Sequence, residues 1–124
     1  MGIAAIQGKK ILVVDDDRLM RLLVKQIFFK AGGEVFTASN GIEAITLFQT
    51  HTPDLVILDI MMPDMDGWET CRQIRSRSDV PIIILTALGN REDTDNGDQN
   101  TANDYVMKPF TSQVLITRAQ AVLG

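Results

Sequence analysis

Histidine and cysteine are almost missing from this chain of 124 residues, which has one of each, His51 and Cys71. A lone cysteine cannot close an internal disulfide, and this pair is too small a stock of nitrogen and sulfur ligands for a zinc site. Long apolar runs are missing too: nothing approaches the roughly 18 residues that a membrane-spanning helix needs, so no membrane contact is expected. Positive charge is in short supply, with 12 Lys and Arg against 16 Asp and Glu, a net charge of −4 and a pI near 4.8. Phosphate backbones attract clustered Lys and Arg, so direct binding of nucleic acid is not expected. The opening residues MGIAAIQGKK carry no basic stretch ahead of an apolar core, and a cytoplasmic location is expected. The length fits a single domain over residues 1–124, with no room for a second.

What the chain does have is a series of short apolar runs rich in Val and Ile: KKILVVD at 9–15, GEVFTA at 33–38, DLVILD at 54–59, VPIIILTA at 80–87 and DYVMK at 104–108. Each has the length and composition of a strand. Stretches with helical spacing lie between them. In RLMRLLVKQIFFKAG, residues 18–32, Leu19, Leu22, Leu23, Ile27 and Phe28 can share one stripe, Asp17 is placed to cap the start, and Gly32 or Gly33 supplies the stop. NGIEAITLFQTH, residues 40–51, sets Ile42, Ile45 and Phe48 in a similar stripe behind an Asn40 cap. GWETCRQIRSR and FTSQVLITRAQAVL supply two more helices. Strands apolar on both faces and alternating with helices imply an α/β sandwich around a parallel sheet.

In such a sheet, ligands gather outside the carboxyl ends of the strands, near the switch point of the winding. That edge collects Asp15 and Asp16 after strand one, Asp59 after strand three, Thr86 after strand four and Lys108 after strand five. Crowded carboxylates repel and raise one another's pKa unless a cation sits among them. Oxygen ligands with few carboxylates suit Mg²⁺. Lys108 and the Thr86 hydroxyl would supply a charge and a donor for the oxygens of a phosphoryl group. The pattern points to an aspartate that accepts phosphate.

VVDDD, LDIMMPDMDG, LTA and DYVMKPF, in this order and spacing, resemble the receiver domains of bacterial two-component response regulators, and the resemblance covers about residues 9–123. It implies a doubly wound, flavodoxin-like three-layer sandwich with five parallel strands in the order 2-1-3-4-5. It implies transfer of a phosphoryl group from the phosphohistidine of a sensor histidine kinase to Asp59, a regulatory event rather than enzymatic turnover. Asp16, Asp59 and the Met61 carbonyl would hold Mg²⁺, with Asp15 helping through water. Lys108, followed by a cis bond to Pro109, would pair with the phosphoryl oxygens. Thr86 and Tyr105 would form the switch that signals to a downstream output domain or target protein. Met61 and Leu88, both apolar, occupy positions that in the family govern attack by water, which implies slow self-dephosphorylation.

The resemblance is weakest over GNREDTDNGDQNTAND, residues 89–104, where receivers place an amphipathic fourth helix. One apolar residue, Ala102, gives no stripe, and Gly and Asn disfavour helix. The segment carries five acids and one Arg, so it is either a short frayed helix or an acidic surface for a partner. Asp104 and Arg118 match a pair used for dimerisation by receivers of winged-helix transcription factors, whereas Val114 stands where that set carries Glu, which counts against the dimer. The chain is expected to be a stand-alone receiver or part of a longer regulator. Two other readings compete: a receiver-like interaction module with impaired switching, and a phosphatase of the haloacid-dehalogenase type built on Asp15, Asp17, Thr86 and Lys108. The phosphatase would need a further acid after the lysine, and residues 109–124 contain none. PDMDG is a turn and not an EF-hand, because the twelfth position from Asp64 is Arg75. His51 and Cys71 are read as surface and structural residues, and Trp68 as packing at a helix start.

Overall fold

Runs of Val, Ile and Leu with no polar alternation must be covered on both faces, and the computed structural model, which describes residues 5–60, 67–87 and 102–124, shows how this is done. Five strands, β1 (Lys10–Val14), β2 (Glu34–Ala38), β3 (Leu55–Asp59), β4 (Ile82–Ala87) and β5 (Asp104–Lys108), pair in parallel in the order β2-β1-β3-β4-β5. The helices are α1 (Arg18–Lys30), α2 (Gly41–His51), α3 (Gly67–Arg75) and α4 (Ser112–Leu123). This is the doubly wound, flavodoxin-like sandwich with the expected strand order. Residues 88–101, most of the segment expected to depart from the family, lie outside the described residues, as do Met61 and Leu88.

Because side chains alternate along a strand, the sheet divides its hydrocarbon between two cores. Leu12, Val14, Val56, Leu58, Ile82 and Ile84 face one way, packed with Ala44, Phe48, Cys71 and Ile74 of α2 and α3. Ile11, Val13, Leu55, Ile57, Ile83 and Leu85 face the other, packed with Val24 and Phe28 of α1 and Leu115 and Ala119 of α4. Each Val, Leu, Ile or Phe side chain among them contributes about 1.5–3 kcal/mol by leaving water. Ile6, which precedes the 9–123 stretch, is also fully buried in the second core.

Two helix stripes differ from the sequence reading. On α1, Leu19, Leu22 and Leu23 are 75, 49 and 47% exposed, while Met20, Val24, Ile27 and Phe28 face the sheet. This helix is apolar around much of its circumference, and periodicity alone does not say which of two stripes the sheet selects. On α2, Ile42 is 64% exposed, and the buried stripe is Gly41, Ala44 and Phe48. His51 is not a free surface residue: its ring stacks on Phe36 of the edge strand, with centroids 4.0 Å apart.

The helix ends follow local chemistry. Asp17 caps α1 by accepting from the Leu19 N–H, and Asn40 caps α2 by accepting from the Glu43 N–H. After α1 the chain turns at Gly32, with φ of 95°, and the Gly32 and Gly33 N–H groups donate to the Phe29 and Phe28 carbonyls. Gly32 suits the position twice over, since a Cβ there would meet the Gln7 side chain at 2.9 Å.

Asn103 secures the start of β4. Its side-chain oxygen accepts from the Ile82 N–H at 2.9 Å and from Arg75 at 2.7 Å, while its own N–H donates to the Ile82 carbonyl at 2.8 Å. Arg75 in turn donates to the Val80 carbonyl at 2.6 Å, tying α3 to the strand it leads into. Asn103→Ala strips acceptors from a half-buried N–H and a guanidinium, and it should lower stability by about 1–3 kcal/mol. Urea denaturation reads the change, and an unaltered midpoint would mean that water replaces Asn103 at no cost.

Candidate functional site

The winding reverses between β1 and β3: from β1 the chain steps outward to β2, and from β3 it steps the other way to β4 and β5. A crevice at the carboxyl ends of the strands follows from that reversal. Asp59 is the last residue of β3, paired in register with Leu85, and Asp15 directly follows β1. Both are carried into the crevice by strands whose side chains are otherwise hydrocarbon.

The local chemistry of Asp15 is tightly specified. Its N–H donates to the Ala38 carbonyl at 3.1 Å, its carbonyl accepts from Arg21 Nη1 at 2.8 Å, and its Oδ1 accepts from the Asp17 N–H at 2.9 Å. The side chain is buried, and Oδ2 lies 3.5 Å from Lys108 Nζ. Lys108 Nζ is also 3.6 Å from Oδ1 of Asp59, itself 4% exposed. Asp16 is exposed, yet oxygens of Asp15, Asp16 and Asp59 all lie within 4.8 Å of one another.

Burial pushes the Asp15 carboxyl up from 3.8 to about 6, and the neighbouring Asp59 carboxylate pushes the same way against the Asp17 N–H and Lys108, which pull down. The three carboxylates are near enough to share one cation, and they are all oxygen ligands. The donor set fits a hard divalent ion and does not fit a soft one.

Thr86 follows the Leu85 that pairs Asp59, and it is 2% exposed. Its hydroxyl has no hydrogen-bond partner among the described residues. Lys108 closes β5, and the Lys108–Pro109 bond is cis, as expected. Tyr105 sits on the same strand, half-buried, its ring centroid 6.2 Å from that of Trp68. Asp104 and Arg118, named above as positions of a possible dimer interface, pair with each other within the chain, with Nη1 at 2.8 and 3.0 Å from the two carboxylate oxygens.

The structure brings Asp15, Asp16, Asp59 and Lys108 together and sets Thr86 one residue beyond the strand partner of Asp59, and sequence reasoning left out three supporting residues. Arg21, on the first turn of α1, fixes the Asp15 backbone; only its spacing four residues beyond the Asp17 cap hinted that it turns inward. Gly67 opens α3 hard against the end of β3: a Cβ there would stand 2.3 Å from Ile60 Cα and 2.5 Å from the Asp59 carbonyl oxygen. Asn103 could not be distinguished from the other Asn of its polar segment.

The family model described as the response regulator receiver domain matches residues 11–120. The probable transcriptional regulator ycf27 of Cyanophora paradoxa is 47% identical over 118 residues, which are 95% of this chain and 49% of that protein. The protein of the same name from Guillardia theta is 49% identical over 115 residues, 93% of this chain and 45% of that one. The chain thus spans about half the length of the curated relatives it matches. Among solved structures, the chemotaxis protein CheY4 of Vibrio cholerae superposes with a TM-score of 0.87 at 34% identity, covering 93% of this chain and 98% of that one. NtrX of Brucella abortus gives 0.89 at 31% identity, covering 94% of this chain and 27% of that one. With the fold, the strand-end acids and the family match in agreement, this chain belongs to the response regulator receiver domains of two-component signalling.

Proposed function

We propose that the chain is a single receiver domain in which Asp59 accepts a phosphoryl group from the phosphohistidine of a sensor histidine kinase. The observation that supports this most directly is the buried Thr86 hydroxyl, which lacks a partner among the described residues, on the strand next to that of Asp59, whose carboxylate Lys108 bridges to Asp15. A buried hydroxyl left unpaired costs about 1–3 kcal/mol. A phosphoryl oxygen on Asp59 would offer it an acceptor.

In the proposed step an Asp59 carboxylate oxygen attacks phosphorus as the P–N bond breaks, and the imidazole nitrogen leaves with the electron pair. Lys108 Nζ keeps the transferred oxygens in line and offsets their charge, and the Thr86 hydroxyl donates to one of them. Mg²⁺, which Asp16 and Asp59 would hold directly and Asp15 through water, would supply positive charge to offset that of the carboxylates and the phosphoryl group. The Met61 carbonyl, the third expected direct ligand, lies outside the described residues. The domain acts as a stoichiometric acceptor rather than as a turnover enzyme, with Thr86 and Tyr105 carrying the change toward a downstream output domain or target. The exposed Leu19, Leu22 and Leu23, flanked by Arg18 and Lys25, give the phosphodonor protein an apolar and basic face on the helix that follows Asp16. A cytoplasmic location follows from such a partner, and no helix among the described residues is long and apolar enough to cross a membrane.

Intact mass after incubation with a small phosphodonor and Mg²⁺ tests the acceptor. Addition of one phosphoryl group is expected, with none in Asp59→Asn and none when Mg²⁺ is chelated. Retention of the adduct in Asp59→Asn would move the acceptor elsewhere.

The cation reading makes a separate prediction about stability. The folded Asp15 carboxyl titrates near 6 instead of 3.8, so the folded chain binds this proton more tightly than the unfolded chain does. The resulting stabilisation is fully present below pH 4 and is lost as pH rises through about 6, a difference of about 3 kcal/mol at 1.36 kcal/mol per unit. Metal-free chain should therefore weaken between pH 4 and 7, and Asp15→Asn should flatten that dependence. At pH 7, millimolar Mg²⁺ should raise the unfolding midpoint of the parent chain and raise that of Asp15→Asn much less. Equal shifts in the two proteins would exclude Asp15 from the cation site.

A further inference from the structure

Trp68 is the second residue of α3, and its neighbour Gly67 is pressed so closely onto Ile60 and the Asp59 carbonyl that the helix start cannot shift independently of the end of β3. The Gly67 N–H donates to the Ile60 carbonyl at 3.1 Å, a second tie between the two. From this fixed base the indole reaches the Tyr105 ring, with centroids 6.2 Å apart and planes tilted by 55°, a favourable aromatic arrangement. Both side chains are half-buried against the core under α2 and α3. The indole N–H is buried with no acceptor among the described residues. Indole is a donor only, and a buried indole N–H ordinarily finds a partner. The indole thus gains a favourable contact from Tyr105 while its donor is unmet among the described residues.

We infer that Trp68 is a positioning residue for the Thr86–Tyr105 switch: its indole props Tyr105 in the orientation seen here, and the two rings move together when Asp59 changes. The inference rests on the reading of Asp59 as phosphoacceptor and adds a route to it. Information from Asp59 reaches β5 through Gly67 and Trp68 on α3, alongside Thr86 on β4. Phosphorylation alters the end of β3, the helix start follows, and the prop under Tyr105 shifts with it.

The chain holds one Trp and one Tyr, so each ring gives a single resonance. The full chain labelled with ¹⁵N and 3-fluorotyrosine is followed by NMR, before and after phosphodonor and Mg²⁺, with intact mass recorded on the same sample. Where mass shows one phosphoryl group, the indole N–H cross-peak and the fluorotyrosine line should shift together. A fluorotyrosine shift with an unmoved indole would overturn the inference. The second arm uses no phosphodonor. Trp68→Leu should broaden or split the fluorotyrosine line and expose it to a soluble paramagnetic agent, whereas Trp68→Phe, which keeps a ring, should restore one protected line. If no phosphoryl group is added, the Asp59 reading fails and this arm alone decides: a sharp, equally protected line in Trp68→Leu removes the prop.

Discussion

Asp15 and Asp59 stand at the ends of adjacent hydrocarbon strands, buried and within a few ångströms of each other, with Lys108 Nζ 3.5 and 3.6 Å from them. Left uncompensated, two such charges would work against the fold, because burial penalises each ion and the like charges penalise both. The rest of the site answers that problem. One ammonium cannot cancel two carboxylates, and Asp16 brings a third nearby. Three acids therefore share this edge with one ammonium among the described residues, and burial first, then the Asp59 carboxylate, push the Asp15 carboxyl up.

That imbalance explains why the surroundings are rigid. If the carboxylates drifted into water, repulsion would relax and the site would lose its appetite for a cation. Asp15 is held by the Ala38 carbonyl, the Asp17 N–H and the Arg21 guanidinium. Asp59 is held by the ladder between β3 and β4 and by the close seat of Gly67. The two cores, packed from alternate residues of the same strands, fix the strand ends from both faces. Packing energy thus keeps charge where charge alone would not stay.

Much of this was legible in the sequence because it rests on short-range rules. Runs of Val and Ile set the strands, Asp17 and Asn40 announced the helix starts, and the polar residues that end four strands had to share one edge of a parallel sheet. What was not legible depends on choices made in three dimensions. Leu19, Leu22 and Leu23 were grouped with Ile27 and Phe28, but the sheet took Met20 and Val24 alongside Ile27 and Phe28 and left the three leucines exposed. His51 gave no sign that it would cover Phe36, since the two lie on different elements. Arg21 and Asn103 serve backbone groups, and backbone groups leave no trace in a pattern of side chains.

The same economy bears on how a change at Asp59 is felt elsewhere. Moving a two-state equilibrium from mostly one side to mostly the other takes about 5.5 kcal/mol of differential interaction. Hydrogen bonds to charged groups contribute about 1.5–3 kcal/mol each, so two or three new bonds to a phosphoryl group suffice. Thr86 is already buried and has no hydrogen-bond partner among the described residues, so a partner that arrives would cost it little further desolvation. Lys108 is already ordered between two carboxylates, so little side-chain entropy remains to be lost. On the proposed reading of Asp59 as phosphoacceptor, a site that meets those costs in its resting state would turn much of the energy of a few new bonds into movement on β5.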